Sequence, residues 1–281
     1  MKTSGRSLLL LLSLLPGLAG CLNLAPQLRR DNADQLAAAS GWERVRLPAG
    51  RFVLAGYLPG NIPATAATLT IYIEGDGLAW INGSLISLDP TPIRPMGLAL
   101  ALRHPHGAAA YLARPCQYVE GADAQGCSPR YWTGHRFAPE VVESASQAVD
   151  MLKQQFQAKQ LVLVGYSGGG AVAALVAARR HDVALLVTVA GNLDHQTWTE
   201  QHHATPLTGS LNPADAWRQL LDVPQLHFVG DRDQVVGRKA AEAFANHFPA
   251  DRRPEIRIIP GFDHICCWAE QWPELFKAEA H

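Results

Sequence analysis

Residues Leu161–Val172 read LVLVGYSGGGAV. Four apolar β-formers run into a single serine, Ser167, set between Gly165 on one side and Gly168, Gly169 and Gly170 on the other. An apolar run of this length that stops at glycine is a strand buried on both faces. The run that follows, GGAVAALVAARR, is a helix of small residues ending in two cations, which suits the negative end of its dipole. Ser167 therefore sits on a strand-to-helix turn. Gly165 to Gly169 spell G-x-S-x-G, the pattern of a nucleophile held on a tight bend. By glycine frequency alone the pattern arises on the order of 0.1 times in a chain this long, so the flanking strand and helix carry the weight. Glycines two before and two after the serine let the two backbones pass. The Gly168 N–H faces the same space as the serine hydroxyl, at a helix N-terminus where negative charge is favoured. The turn ends in Ala-Val-Ala, not the Lys-Ser/Thr of a phosphate-binding loop, and it has no G-x-G-x-x-G spacing.

Outward from this turn, strands and helices alternate from Thr68 onward. ATLTIYIEGDG, VALLVTVAG, QLHFVG and EIRIIPG read as strands. PEVVESASQAVDMLKQQF, RKAAEAFANHF and AEQWPELFKA read as helices. PIRPMGLALALR reads as a short helix and GAAAYLAR as a weak strand. The central strands are apolar throughout, which predicts an α/β fold with a mostly parallel sheet covered on both faces. WERVRLPAGRFVLAGYLP adds two antiparallel strands upstream. One domain spans residues 41–281, with a small cap expected in the insert 193–222.

A serine hydroxyl is a weak nucleophile and needs a base. His264 lies just past the last strand, after Gly261, and Asp233 just past the strand before it, after Gly230. Both positions deliver side chains to the sheet edge that carries Ser167, in the order Ser, acid, His. Asp233 orients the imidazole and stabilises its charged form. Asp231 and Asp194 are alternative acids, and Asp263 reads as a loop carboxylate. His227 lies within a strand and His247 on a helix, so neither competes well.

These motifs resemble the α/β-hydrolase fold serine hydrolases over residues 42–281. LVTVAGNLDHQTW and RPCQY further resemble a group of bacterial lipoprotein hydrolases. The resemblance implies a second oxyanion donor in the loop after the third strand. Many members have His-Gly there, whereas this chain has Glu74-Gly75-Asp76-Gly77. The donor then falls at the Asp76 or Gly77 backbone. A carboxylate facing a forming oxyanion would repel it, so the Asp76 side chain is expected to point away.

The N-terminus reads as a targeting segment, residues 1–20. Lys2 and Arg6 precede SLLLLLSLLPGLAG, which Pro16 and Gly17 break. It ends in Leu-Ala-Gly-Cys at residues 18–21, which resembles a bacterial lipobox whose Cys21 is lipidated and begins the mature chain. Residues 21–40 then form a tether or a short helix. Stable anchoring takes more than one acyl chain. The implied location is the bacterial cell envelope, lipid-anchored on the periplasmic side, and Leu22 and Asn23 favour the outer membrane. Export puts the cysteines in an oxidising compartment. Cys116 and Cys127 bracket a short loop and are expected to form a disulfide, while adjacent Cys266 and Cys267 are expected as thiols or buried sulfurs.

Net charge is -1 and no basic run appears, which argues against a nucleic-acid partner. His104, His106, His202 and His203 lack metal-ligand spacing, so no metal or cofactor is expected. The implied activity is hydrolysis of an ester, thioester or amide on a small-molecule or acyl substrate. An acyltransferase on the same triad, or a binding protein on the same fold, are the alternatives.

Overall fold

The computed structural model describes residues 25–62 and 65–277. The targeting segment and Cys21 lie outside them. Among the described residues no helix is long and apolar enough to cross a membrane.

The chain opens with a helix, α1 (Pro26–Ala39), then β1 (Trp42–Ala49), β2 (Phe52–Pro59), β3 (Thr68–Ile73), α2 (Met96–Ala101) and β4 (Ala108–Leu112). It continues through α3 (Pro139–Gln155), β5 (Gln160–Tyr166), α4 (Gly168–Ala177), β6 (Val183–Val189) and α5 (His195–Gln201). It ends with β7 (Gln225–Gly230), α6 (Gly237–Asn246), β8 (Glu255–Ile259) and α7 (Trp268–Lys277). The eight strands form one sheet in the order β1-β2-β4-β3-β5-β6-β7-β8. The β1–β2 and β2–β4 pairs are antiparallel, and every pair from β4 across to β8 is parallel.

The burial of β5 follows from its composition: Leu161, Leu163 and Val164 are buried, on both faces of the sheet. α4 is buried all round, which is why only small and aliphatic residues occur in it. α3 starts at Pro139, a residue suited to the first helical position, and buries Val141, Val142, Ala145, Ala148, Val149 and Leu152 at helical spacing. Side chains of α3, α4 and α6 build the core on one face, and those of α1, α2 and α7 build it on the other.

Two expectations gain detail and one changes. Residues 26–39 are a helix docked on the domain, with Ala33 and Ala37 fully buried, so any free tether ends before Pro26. The insert 193–222 packs downward as well as outward, with Leu193, Leu207, Ala214 and Leu220 in the core. Cys266 and Cys267 are joined to each other as a disulfide, where thiols or buried sulfurs are expected. The peptide between them is cis and their Cα atoms lie 3.1 Å apart. The Cys116–Cys127 disulfide is present, with Cα atoms 5.6 Å apart.

Because Leu163 is sealed at the centre of the sheet, Leu163→Ala should lower the unfolding free energy by about 2–5 kcal/mol. Urea denaturation checks this against exposed Lys159→Ala, which should stay within about 0.5 kcal/mol of wild type.

Candidate active site

Ser167 stands at the C-terminal end of β5 with φ 52° and ψ -123°, a backbone conformation that non-glycine residues rarely adopt. Three backbone bonds hold it there. Its N–H donates to Val189 O at 3.0 Å, and its carbonyl accepts from Gly170 N at 2.9 Å and Asn192 N at 3.0 Å. The turn leaves no room for side chains. A Cβ on Gly165 would lie 2.5 Å from the Gly170 Cα, and one on Gly169 would lie 2.8 Å from the Glu74 carbonyl carbon.

Ser167 Oγ lies 3.0 Å from His264 Nε2, and His264 Nδ1 lies 2.9 Å from Asp233 Oδ2. The other Asp233 oxygen accepts from Val235 N at 2.8 Å and Val236 N at 3.1 Å. Burial pushes the Asp233 carboxyl up, but the His264 ring and these two N–H groups together hold it below its ordinary value. An ionised carboxylate only accepts, so the neutral imidazole carries its proton on Nδ1 and presents a lone pair to the serine hydroxyl from Nε2. The Tyr166 hydroxyl donates to His264 O at 2.9 Å and steadies the loop that carries the ring.

The rival acids are occupied elsewhere. Asp194 caps α5, accepting from Gln196 N and Thr197 N. Asp231 accepts from Gly261 N, and Asp263 from Ile265 N and Cys266 N. Buried His227 pairs with Thr188 inside the sheet. Among the described residues no group of three His, Cys, Asp or Glu side chains could hold a metal ion.

The loop after β3 comes up against the turn, where a Cβ on Gly75 would lie 3.3 Å from the Ser167 Cβ. Its backbone donors are divided. Gly75 N donates to Glu74 Oε1 at 2.9 Å and Leu78 N to Pro90 O at 3.1 Å. Among the described residues the N–H groups of Asp76 and Gly77 have no acceptor. Glu74, the departure from His-Gly, is a buried anchor. It accepts from Gly97 N at the start of α2 and from the Tyr111 hydroxyl, both at 3.0 Å. Burial raises its carboxyl above the ordinary range, against the pull of these donors.

The Asp76 side chain lies close to the turn. A Cβ on Gly168 would lie 2.5 Å from the Asp76 Cγ, so the carboxylate sits against the start of α4. Its charge is instead taken up by Arg114 Nη1 at 3.1 Å and Arg136 Nη1 at 2.6 Å. Burial pushes the Asp76 carboxyl up, and the two guanidinium groups outweigh it and hold the group below its ordinary value. Gln117 Nε2 donates to Gly75 O at 2.9 Å from beside the Cys116–Cys127 disulfide. Arg114, Gln117 and Arg136 escape sequence reading because no local pattern links them to residue 76.

Ser167, His264, Gly168, Asp76 and Gly77 all face one cleft of about 610 Å³. Its walls are largely apolar, including Leu78, Trp80, Ile93, Met96, Trp198 and Val236. The cap segment contributes Trp198. Another part of the wall comes from a hairpin over residues 79–87, in which Trp80 bridges Ile86. Its signal in the sequence is Asn82-Gly83 between apolar neighbours.

The family model described as serine hydrolase (FSH1) matches residues 110–264, more than half of the chain. Among curated proteins none matches this sequence. Solved structures share its fold. An esterase of Pyrococcus furiosus has 14% identity and a TM-score of 0.57, covering 84% of this chain and 89% of its own. Est1E from Butyrivibrio proteoclasticus has 16% identity and a TM-score of 0.56, covering 84% and 96%. An α/β serine hydrolase of Xanthomonas campestris, described as lacking a lid, has 16% identity and a TM-score of 0.52, covering 84% and 91%.

Both Asp76 and Asp233 have depressed folded values, so each stabilises the native state above the ordinary carboxylate range near 3.9 and loses that contribution as pH falls through the depressed value. Asp76→Asn strands two buried guanidinium groups. It should cost about 3–5 kcal/mol at pH 7 and make the fall in stability on acidification shallower. Urea unfolding at pH 7 and at about pH 3, below the unfolded value, measures both effects.

Proposed function

The chain belongs to the serine hydrolase (FSH1) family, and from that premise we propose that it is a lipid-anchored envelope hydrolase cleaving an ester, thioester or amide through Ser167, His264 and Asp233. The observation that carries this reading is the pair of hydrogen bonds linking Asp233, His264 and Ser167 at the floor of an apolar cleft.

In the first half-reaction Ser167 Oγ attacks the acyl carbon while its proton passes to His264 Nε2. The carbonyl π electrons move onto oxygen, and that oxyanion is held by Gly168 N–H and by Asp76 or Gly77 N–H. Asp233 stabilises the imidazolium and keeps the ring in register. Collapse of the intermediate breaks the bond to the leaving group, which takes the proton from His264. Water then repeats the sequence on the acyl-enzyme: His264 accepts its proton, hydroxide adds to the acyl carbon, and Ser167 leaves with the proton returned. The apolar cleft walls suit the acyl part of a small-molecule substrate. Support for the anchor and the envelope location is the Leu-Ala-Gly-Cys sequence that ends in Cys21. The structural unit is the domain from residue 41 onward, to which residues 26–39 add a docked helix.

Ser167→Ala should lower kcat on a short acyl ester by on the order of 10⁶, and Asp233→Asn by roughly 10⁴. Ser167→Ala should also abolish labelling by a fluorophosphonate. Ser167-independent labelling of folded protein would overturn the assignment.

A further inference from the structure

Among the described residues ten large apolar side chains are exposed, and eight of them lie on the cleft rim or on the hairpin beside it. The hairpin presents Trp80, Ile81, Leu85, Ile86 and, just beyond it, Leu88, which is 93% exposed. Ile93, Val235 and Ile265 continue the patch around the mouth. From Leu78 to Pro95 the only charged residues are Asp89 and Arg94. Isolated exposed apolar residues are ordinary, but a contiguous patch at a cleft mouth marks a surface that meets an apolar partner.

The hairpin is built to hold that patch out. Asn82 Oδ1 accepts from Ser84 N at 3.0 Å and Leu85 N at 2.9 Å, which closes the tip. Ile81 N donates to Leu85 O at 2.8 Å and Ser87 N to Ala79 O at 3.0 Å. Trp132 Nε1 donates to Ser87 O at 3.0 Å and fixes the base. These bonds fix the hairpin backbone, while Trp80, Ile81, Leu85, Ile86 and Leu88 stay exposed on it.

The base is also tied to the first turn of α1. Arg29 donates to the carbonyls of Asp89, at 3.2 Å, and Thr91. Arg30 Nη1 donates to Asp89 Oδ2 at 3.2 Å. Both arginines are buried, so the junction between α1 and the hairpin is a rigid one. Leu28, in the same turn of α1, is exposed. Cys21 precedes Pro26 by five residues, which span at most about 18 Å when fully extended. A lipid on Cys21 therefore enters the bilayer close to the hairpin base. A leash this short leaves few faces of the domain able to touch the membrane.

We propose that the face formed by residues 79–93, with Val235 and Ile265, docks on the lipid bilayer, so that the cleft holding Ser167 opens onto the membrane surface. The proposal rests on the reading of Cys21 as the lipidated residue. The occupant is a bilayer and not a second protein because the covalent lipid would deliver this face to it. The apolar side chains then enter the interface while Arg94 remains at headgroup level.

The test uses the full chain, produced with its leader in bacteria and reconstituted in phosphatidylcholine–phosphatidylglycerol vesicles containing a doxyl-labelled lipid. An environment-sensitive fluorophore is attached through Leu88→Cys or, in a control chain, through His181→Cys. His181 is exposed in the turn before β6, at the sheet end opposite Ser167. The expected result is a blue shift and strong doxyl quenching at position 88, with neither at 181. Flotation with the vesicles but equal quenching at both positions, or none at 88, would overturn the docking face and leave the anchor standing. Wild-type chain that partitions away from membranes would overturn the anchor and the docking face together.

Discussion

The first turn of α4 rests directly on the end of β3, and the site depends on that contact. Gly169 lies against the Glu74 carbonyl, Gly165 against the backbone of Gly170, and Gly168 against the Asp76 carboxylate. No side chain larger than hydrogen fits at these positions without displacing backbone or a paired carboxylate. The close approach brings the loop after β3 up to Ser167, with Gly75 against the serine Cβ. It also leaves Ser167 in a left-handed conformation that its three backbone partners sustain.

Close packing of this kind brings charge into the interior, and the structure answers with paired groups. Glu74 and Asp76 stand two residues apart and are treated in opposite ways. Glu74 is sealed from solvent, held by amide and hydroxyl donors alone, and its carboxyl is raised. Asp76 faces two guanidinium groups and its carboxyl is lowered. The first arrangement fastens the loop to α2, and the second keeps a carboxylate beside the start of α4 with its charge paired. Arg114 and Arg136 also connect the loop to the segment between β4 and α3, so the loop after β3 is held from several sides.

The cleft walls come from unrelated parts of the chain. The insert 193–222, placed where a cap is expected, sends Leu193, Leu207 and Leu220 into the core and offers Trp198 to the cleft. The hairpin between β3 and α2 supplies another part of the wall. It rises on a base made of Asp89, Thr91 and the arginines of α1, so the first helix of the described residues also supports the mouth of the site.

The sequence by itself determined the alternation of strands and helices, the mostly parallel sheet, the turn at Ser167, and the sheet-edge positions of Asp233 and His264. These features are written in short-range patterns: apolar runs, glycine spacing and strand ends, each set by the backbone within a few residues. Only the tertiary structure decided that Asp76 is neutralised by Arg114 and Arg136, that Glu74 is a buried anchor, that Gln117 holds the loop after β3, that Cys266 and Cys267 are joined, and that residues 26–39 are a helix docked on the domain. The ion pairs join residues 38 and 60 positions apart in the chain. Long-range pairing of single polar side chains leaves no periodic trace in a sequence, because each group is specified by a partner that only folding brings near.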